Sequence, residues 1–318
     1  MQDNITKWKR LSQAFMSGLG ALAFLTGMAA TTEAADSINA PAIIQQPKSL
    51  AVLVGEKAEF NVKAGEGWVV PCSDTVNLVM VHCPAGTFTM GSPTGELGRS
   101  NNETQHQVTL SKPFWIGLYE VTQEQYKALM GTNPSYFTGG NLPVEQVSWH
   151  DATNFCAKLT AKEKAAGRLP TGYVYSLPTE AQWEYACRAG TTTAFNNGTN
   201  IPTQEQCSNK PCPNLDEEGW YKYNSGGKTH EVGLKKPNAW ELYDMHGNVW
   251  EWCLDWYGDY PRGAATDPTG PTAGSGRVIR GGSWRSFANY CRSGYRYNRN
   301  PGRRNGNYGF RVALVPGR

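Results

Sequence analysis

From Thr191 to Arg318 the chain runs for 128 residues without a stretch of helical periodicity. It consists of short apolar runs separated by Gly, Pro, Asn and Asp. A bare loop of that length does not hold together inside a compact domain. Disulfides, Trp side chains or bound cations must organise it. Composition agrees: 35 Gly, 11 Trp and 15 Tyr stand beside only 18% charged residues. Many glycines with many large rings describe an irregular backbone pinned by aromatics, not a plain α/β enzyme. The net charge of +3 says nothing of a nucleic-acid partner, and none is expected.

Regular structure is expected upstream. Leu78–Ser92 reads as a strand, a Pro-Ala-Gly turn and a second strand, and His106–Thr122 as another β pair. Thr122 with Gln125 forms a capping box before a short helix ended by Gly131. Ala152, Phe155, Cys156 and Leu159 give a second helix from about Asp151. A third starts at Thr179, again with Gln three residues on, and Gly190 should stop it.

The first 34 residues read as a secretory signal. Lys7, Lys9 and Arg10 precede an apolar Phe15–Ala30 run, and Thr32-Glu33-Ala34 offers a cleavage site. The apolar core is short for a span of roughly 20 residues, so no stable membrane span is expected. A secreted or periplasmic location follows. Within 35–75, Ser49–Val54 and Ala58–Val62 flank Gly55-Glu56 as a β-hairpin, resembling the opening of a bacterial immunoglobulin-like module. Too little chain precedes the next block for a whole module of about 100 residues. The main domain is placed at 76–318. Export favours disulfides among the eight cysteines, with Cys207 and Cys212 suited to a small loop bond.

Several stretches together carry a resemblance. They are FTMGSP, PFWIGLYEVTQEQY, NPSYF, PVEQVSWHDATNFC, SLPTEAQWEYACRAG, ELYDMHGNVWEWCLDWY, RVIRGGSW and YGFRVAL. In this order, from Val76 to Arg318, the chain resembles the formylglycine-generating enzyme, or sulfatase-modifying factor, family. The resemblance implies an α+β, C-type-lectin-like fold with little regular secondary structure and structural calcium. Its competent members oxidise a sulfatase cysteine in a Cys-x-Pro-x-Arg motif to formylglycine, using oxygen and a copper ion on two thiolates. Other members do different oxygen chemistry or serve as binding modules. The branch with a three-histidine iron site needs an extra helical domain for which this chain has no room.

Carried over residue by residue, Cys291 falls on the second copper thiolate and Ser286 on the first. Cu(I) prefers soft thiolate, and a serine hydroxyl is a hard, neutral, poor ligand. Cys291 is expected either as a free thiol or in a disulfide with Cys187. Ser283, Tyr290 and Trp252 fall on positions around the family's oxygen and substrate pocket, although Trp250–Trp252 could equally be packing. The HGNVWEW stretch implies a calcium site. Asn248 and Glu251 would supply side-chain oxygens, and Gly247 and Val249 carbonyls. Otherwise Asn248 turns the chain and Glu251 pairs with an arginine. A second calcium loop, 214–227, carries Asp216, Glu217, Glu218 and Asn224.

Arg277–Arg318 holds ten arginines and no Asp, Glu or Lys. The arginines either form an anion-binding face or stack on tyrosines and pair with acids elsewhere. The Asn, Tyr, Ser, Gly and Arg of Arg285–Tyr308 suit adaptable recognition, with Tyr295 and Arg299 as contact residues. The segment is similar to the variable tails of lectin-fold proteins diversified by retroelements. Two functions follow. One is an exported oxidase of sulfatases. The other is a non-catalytic lectin-fold module that recognises a protein or glycan through its C-terminal loops.

Overall fold

The computed structural model describes residues 67–317; the expected signal and the Ser49–Val62 hairpin lie outside the described residues. In chain order the strands are β1 (Gly67–Pro71), β2 (Asn77–Cys83), β3 (Gly86–Met90), β4 (His106–Leu110), β5 (Phe114–Gly117) and β6 (Tyr173–Ser176). They continue with β7 (Trp250–Trp256), β8 (Ala265–Thr266), β9 (Arg277–Arg280), β10 (Tyr297–Arg299), β11 (Tyr308–Gly309) and β12 (Ala313–Pro316). Three sheets result, in the orders β1-β2-β5-β12-β6, β10-β9-β7-β11 and β3-β4-β8.

The two halves of Leu78–Ser92 do not pair with each other. β2 pairs with β5, setting Ile116 against Val81, while β3 pairs with β4 in a separate sheet. β1 lies in the segment read as linker, yet it pairs along its length with β2, from Gly67↔Val81 to Pro71↔Asn77. The folded body therefore reaches upstream of Val76. The C-terminal β12 inserts between β5 and β6, so the end of the chain closes its opening sheet.

Three helices form as expected, two of them where their caps predict and the middle one two residues before Asp151, behind a Ser148 cap. They are α1 (Gln123–Met130), α2 (Trp149–Ala165) and α3 (Glu180–Arg188), and each begins with a complete capping box. Such reciprocal caps satisfy amides that the helix itself leaves orphaned. Gly131 ends α1 in the left-handed region (φ 83°), but Ala189 (φ 44°), not Gly190, takes that role for α3. Two short helices, α4 (Gln204–Ser208) and α5 (Pro213–Asp216), break the region expected to be helix-free. Each is too short for apolar periodicity to register.

Buried ion pairs tie the irregular C-terminal half to the rest. Arg280 joins Glu180 at 2.8 Å and Glu184 at 2.6 Å. Arg296 holds Glu180 at 2.6 Å, and Arg292 holds Glu96 at 2.5 Å and Glu103 at 2.8 Å. Arg311 reaches Glu251 at 2.6 Å. All four guanidiniums are at most 2% exposed. Fork-shaped guanidinium–carboxylate contacts fix orientation as well as position. Arg277 is held differently, between the Trp149 and Trp256 rings at 3.9 and 3.6 Å.

The disulfides expected to do this work are absent from the structure, where all eight cysteines are unpaired and buried. Cys187 and Cys291, the pair expected to bond, both contact His246 instead. Its Nδ1 lies 2.7 Å from the Cys291 carbonyl oxygen, and its Nε2 lies 3.9 Å from Cys187 Sγ. Cys207 and Cys212 enter one apolar cluster with Phe195, Leu215 and Cys291.

Candidate functional site

Gly281 and Gly282 follow β9 and both take positive φ, 89° and 78°. This double left-handed turn swings Ser283 inward, and the chain then enters a 3-10 turn, Ala288–Cys291. A Cβ on Gly282 would stand 2.5 Å from Cys291 Sγ, so only glycine fits over the thiol. Ser283 Oγ lies 3.0 Å from Ser286 Oγ and accepts a hydrogen bond from Asn307 Nδ2 at 3.1 Å. The Ser283 amide faces the Cys291 sulfur. Ser283, Ser286 and Cys291 thus meet, as the sequence suggested.

What meets there is a poor donor set for copper. Cys291 is fully buried, and burial pushes its thiol up to about 12. A thiol in that state is a poor nucleophile and a poor ligand, because both roles need the thiolate. The partner position offers a hydroxyl already engaged by Ser283. Copper does not fit this pair: one sealed sulfur and one neutral oxygen are the wrong donors for a soft ion. His246 supplies no base. Burial lowers its pKa to about 4, and it spends Nδ1 on the Cys291 carbonyl and Nε2 on the Asn196 amide, 3.1 Å away.

The other expected pocket residues divide. Tyr290 is half-buried beside the 3-10 turn, its ring 5.0 Å from Tyr295 and 6.4 Å from Phe287. Trp252 is fully buried in the main core, donating Nε1 to the Val147 carbonyl at 3.0 Å and packing edge-on to Tyr308. It is a packing residue, as an indole with its one donor satisfied should be.

The HGNVWEW stretch turns into β7. Gly247 (φ 103°) is forced, since a Cβ there would lie 2.2 Å from the Trp220 carbonyl oxygen. Asn248 Oδ1 accepts the His230 amide at 3.0 Å, while Nδ2 donates to Glu120 Oε2 at 2.7 Å. Both Glu251 oxygens are engaged: Oε2 by Arg311 Nε at 2.6 Å and Trp183 Nε1 at 2.7 Å, Oε1 by Arg311 Nη2 at 2.7 Å. The Asn248 and Glu251 oxygens named as calcium ligands are thus occupied, and a guanidinium supplies the positive charge. As arranged, this set does not fit calcium. Among the described residues no three His, Cys, Asp or Glu side chains form a metal-holding group. In the 214–227 loop, Asp216 accepts the Tyr221 hydroxyl at 2.9 Å and Glu217 pairs with Lys236, so those acids also have separate employments.

Sequence reasoning missed two acids that share this neighbourhood. Glu120 is 1% exposed and takes the Val249 amide at 3.0 Å. Burial, then Asp244 and Glu251, raise its pKa well above the carboxylate range. Asp244 is also 1% exposed; burial raises it to about 6, and its Oδ1 has no hydrogen-bond partner. No motif announces such a cluster, because its members come from separate segments.

Comparison with known proteins now has a fold and a site to refer to. The sulfatase-modifying factor enzyme 1-like domain matches residues 70–315. The chain belongs to this family. The formylglycine-generating enzyme of Mus musculus is 33% identical over 219 residues, covering 65% of this chain and 53% of the enzyme. The chain therefore spans about half the enzyme's length. The chaperone protein LppX of Paenibacillus barcinonensis is 34% identical over 232 residues, covering 59% of this chain and 75% of LppX. Among solved structures, Treponema denticola variable protein 1 superposes with a TM-score of 0.68 at 35% identity, covering 79% of this chain and 99% of that one. These neighbours establish the C-type-lectin-like α+β fold of the family.

The last 42 residues acquire two faces. Arg280, Arg292, Arg296 and Arg311 point inward, as do Tyr295 (8% exposed) and Tyr308. Tyr295 was expected as a contact residue; instead it lies between Trp250 and Tyr290. Arg285, Tyr297, Asn300, Arg303 and Arg304 are exposed, and Arg299 is half-exposed. Arg299 donates Nε to Tyr308 Oη at 2.7 Å and lies over the Tyr297 ring at 4.2 Å.

Proposed function

We propose that this protein is an exported, non-catalytic binding module of the sulfatase-modifying factor family, which recognises a protein partner through its C-terminal loops. One observation carries the reading. Where copper chemistry needs two thiolates, this chain has Ser286 hydrogen-bonded to Ser283, and a Cys291 sealed beneath Gly282. The scaffold of the family site is kept and its chemistry removed. A fold can host many functions, so the site decides.

Three further points support it. The tail's exposed side chains are Tyr, Asn and Arg, types suited to adaptable contacts. Over nearly its whole length the Treponema denticola protein, which carries the name variable protein, is similar to this chain. LppX, a relative over three quarters of its own length, carries the name chaperone. Export rests on the N-terminal leader; among the described residues no helix is long and apolar enough to cross a membrane.

The test is reconstitution. The reduced protein, supplied with Cu(I) and oxygen, is incubated with a Cys-x-Pro-x-Arg peptide, and formylglycine is sought by mass spectrometry. No product is expected, and none is expected from Ser286→Cys, because Cys291 stays sealed. Turnover in the native chain that disappears in Cys291→Ala would establish an oxidase instead.

A further inference from the structure

Nine arginines of the C-terminal segment are described, and seven are occupied. Four are buried on glutamates, Arg277 lies between two indoles, Arg299 is bound to Tyr308, and Arg304 meets Asp151 at 2.8 Å. Arg285 and Arg303 remain. Both are exposed, and neither has a carboxylate partner. They lie on adjoining loops: Arg285 follows Trp284, whose Nε1 donates to the Gly306 carbonyl at 2.9 Å, and Arg303 closes the turn Asn300–Arg303.

The surface around them is aromatic and cationic. The Trp284 ring meets Phe137 at 5.6 Å, and Phe137 meets Tyr136, which is 74% exposed. On the other side, Lys222 Nζ sits 4.1 Å over the Phe287 ring, held there by the Lys222 amide on the Ser286 carbonyl. Asp151 beside this surface is already paired with Arg304, and Glu145 beneath Gly306 is buried.

Resting on the binding reading above, we propose that this face recognises an acidic protein segment. The carboxylates would be taken by Arg285 and Arg303, and side chains between them would pack on Trp284 and Tyr136. Guanidinium forks match carboxylates bidentately. Unpaired surface arginines beside exposed rings have lost little by waiting in solvent and gain both charge pairing and apolar contact on binding. The Asn and Tyr between them favour a polypeptide over a repeating polysaccharide, since amide and phenol groups adapt to backbone donors and acceptors.

Fluorescence anisotropy of the full chain with a labelled peptide of alternating Glu and Gly tests this. The matching Lys-Gly peptide and a chondroitin sulfate chain serve as comparators. The Glu peptide should bind. The Arg285→Glu/Arg303→Glu pair should weaken it about tenfold or more, and raised salt should weaken it too. The melting temperature should hold, because both arginines are exposed, neither is in an ion pair, and Arg285 makes a long, exposed contact over the Trp284 ring at 5.8 Å. Equal binding of the Lys peptide, no loss in the double variant, or preference for the sulfated chain would each overturn the proposal. Its failure stays separate from that of the binding module. Neutral peptides selected from an unbiased library and lost on Tyr297→Ala would remove only the acidic partner. Formylglycine formation would remove the binding module itself.

Discussion

Arg311→Met tests the architecture most sharply. The native guanidinium grips both oxygens of Glu251 and donates Nη1 to the Gly117 carbonyl at 2.9 Å and Nη2 to the Tyr243 carbonyl at 3.0 Å. Methionine keeps much of the apolar length and removes the charge. Breaking a buried pair from one side costs about 3–5 kcal/mol. Orphaning buried carbonyls adds about 1 kcal/mol or more. At about 2–4 °C per kcal/mol for a domain of this size, the melting temperature should fall by roughly 8–24 °C. The pH dependence carries the mechanism. Arg311 lowers the pKa of Glu120 and Asp244, so without the cation both should be harder to ionise in the folded state. A carboxyl whose folded pKa is raised contributes stability present below its unfolded value and lost as pH rises through the folded one. The deficit should therefore be smallest near pH about 5 and grow toward pH about 8. Differential scanning calorimetry across that range measures it, and Glu251→Gln in the same chain should recover part of the loss. A fall of under about 2 °C, or a deficit flat in pH, would refute the argument that Arg311 is the counter-charge of this cluster.

Three other outcomes follow from separate sites. Cys291 should resist iodoacetamide in the folded chain at pH about 8 and react on unfolding, because burial holds its thiol near 12; peptide mapping by mass spectrometry reads this, and rapid labelling of the native chain would overturn the sealed site. Tyr295→Ala should cost about 3–5 kcal/mol, as a buried ring does, whereas exposed Tyr297→Ala should cost under about 0.5 kcal/mol and act only on partner capture. Glu145 is buried, with Oε2 unpartnered, and burial raises it to about 7. Its stabilising share is full below the ordinary carboxylate range and fades as pH rises to about 7, so Glu145→Gln should flatten that slope in urea melts.

Local signals were legible where the chemistry is local. Thr122–Gln125 and Thr179–Gln182 announce their helices because a capping box is a four-residue event, and the structure forms both. Ser283, Ser286 and Cys291 come together within nine residues, Ser283 and Ser286 in one turn and Cys291 at the end of the next. The strand partners were not legible. Two β runs joined by a short turn read as a hairpin, and nothing nearby reveals that β2 has β5, and β3 has β4, as its neighbour. The partners of the Asn248 and Glu251 side chains were hidden for the same reason. Glu251 looks available until Arg311, 60 residues on, takes both its oxygens.

The tail's arginine content is where local and long-range readings separate. The acid-pairing reading holds for the buried arginines, and the anion-binding reading is what is proposed above for two exposed ones. Arg280, Arg292, Arg296 and Arg311 meet glutamates from Glu96 to Glu251 and anchor the segment without disulfides. Arg285 and Arg303 face solvent without a carboxylate partner. Anchors of this kind fix the backbone from beneath, so the positions above can change without moving it. On the proposed binding function, substitution of an exposed tail residue would alter what is bound at little cost to folding, whereas substitution of an anchor leaves a buried carboxylate stranded. A binding surface that tolerates change needs that separation, and a two-thiolate copper site, which must hold its ligands fixed, does not.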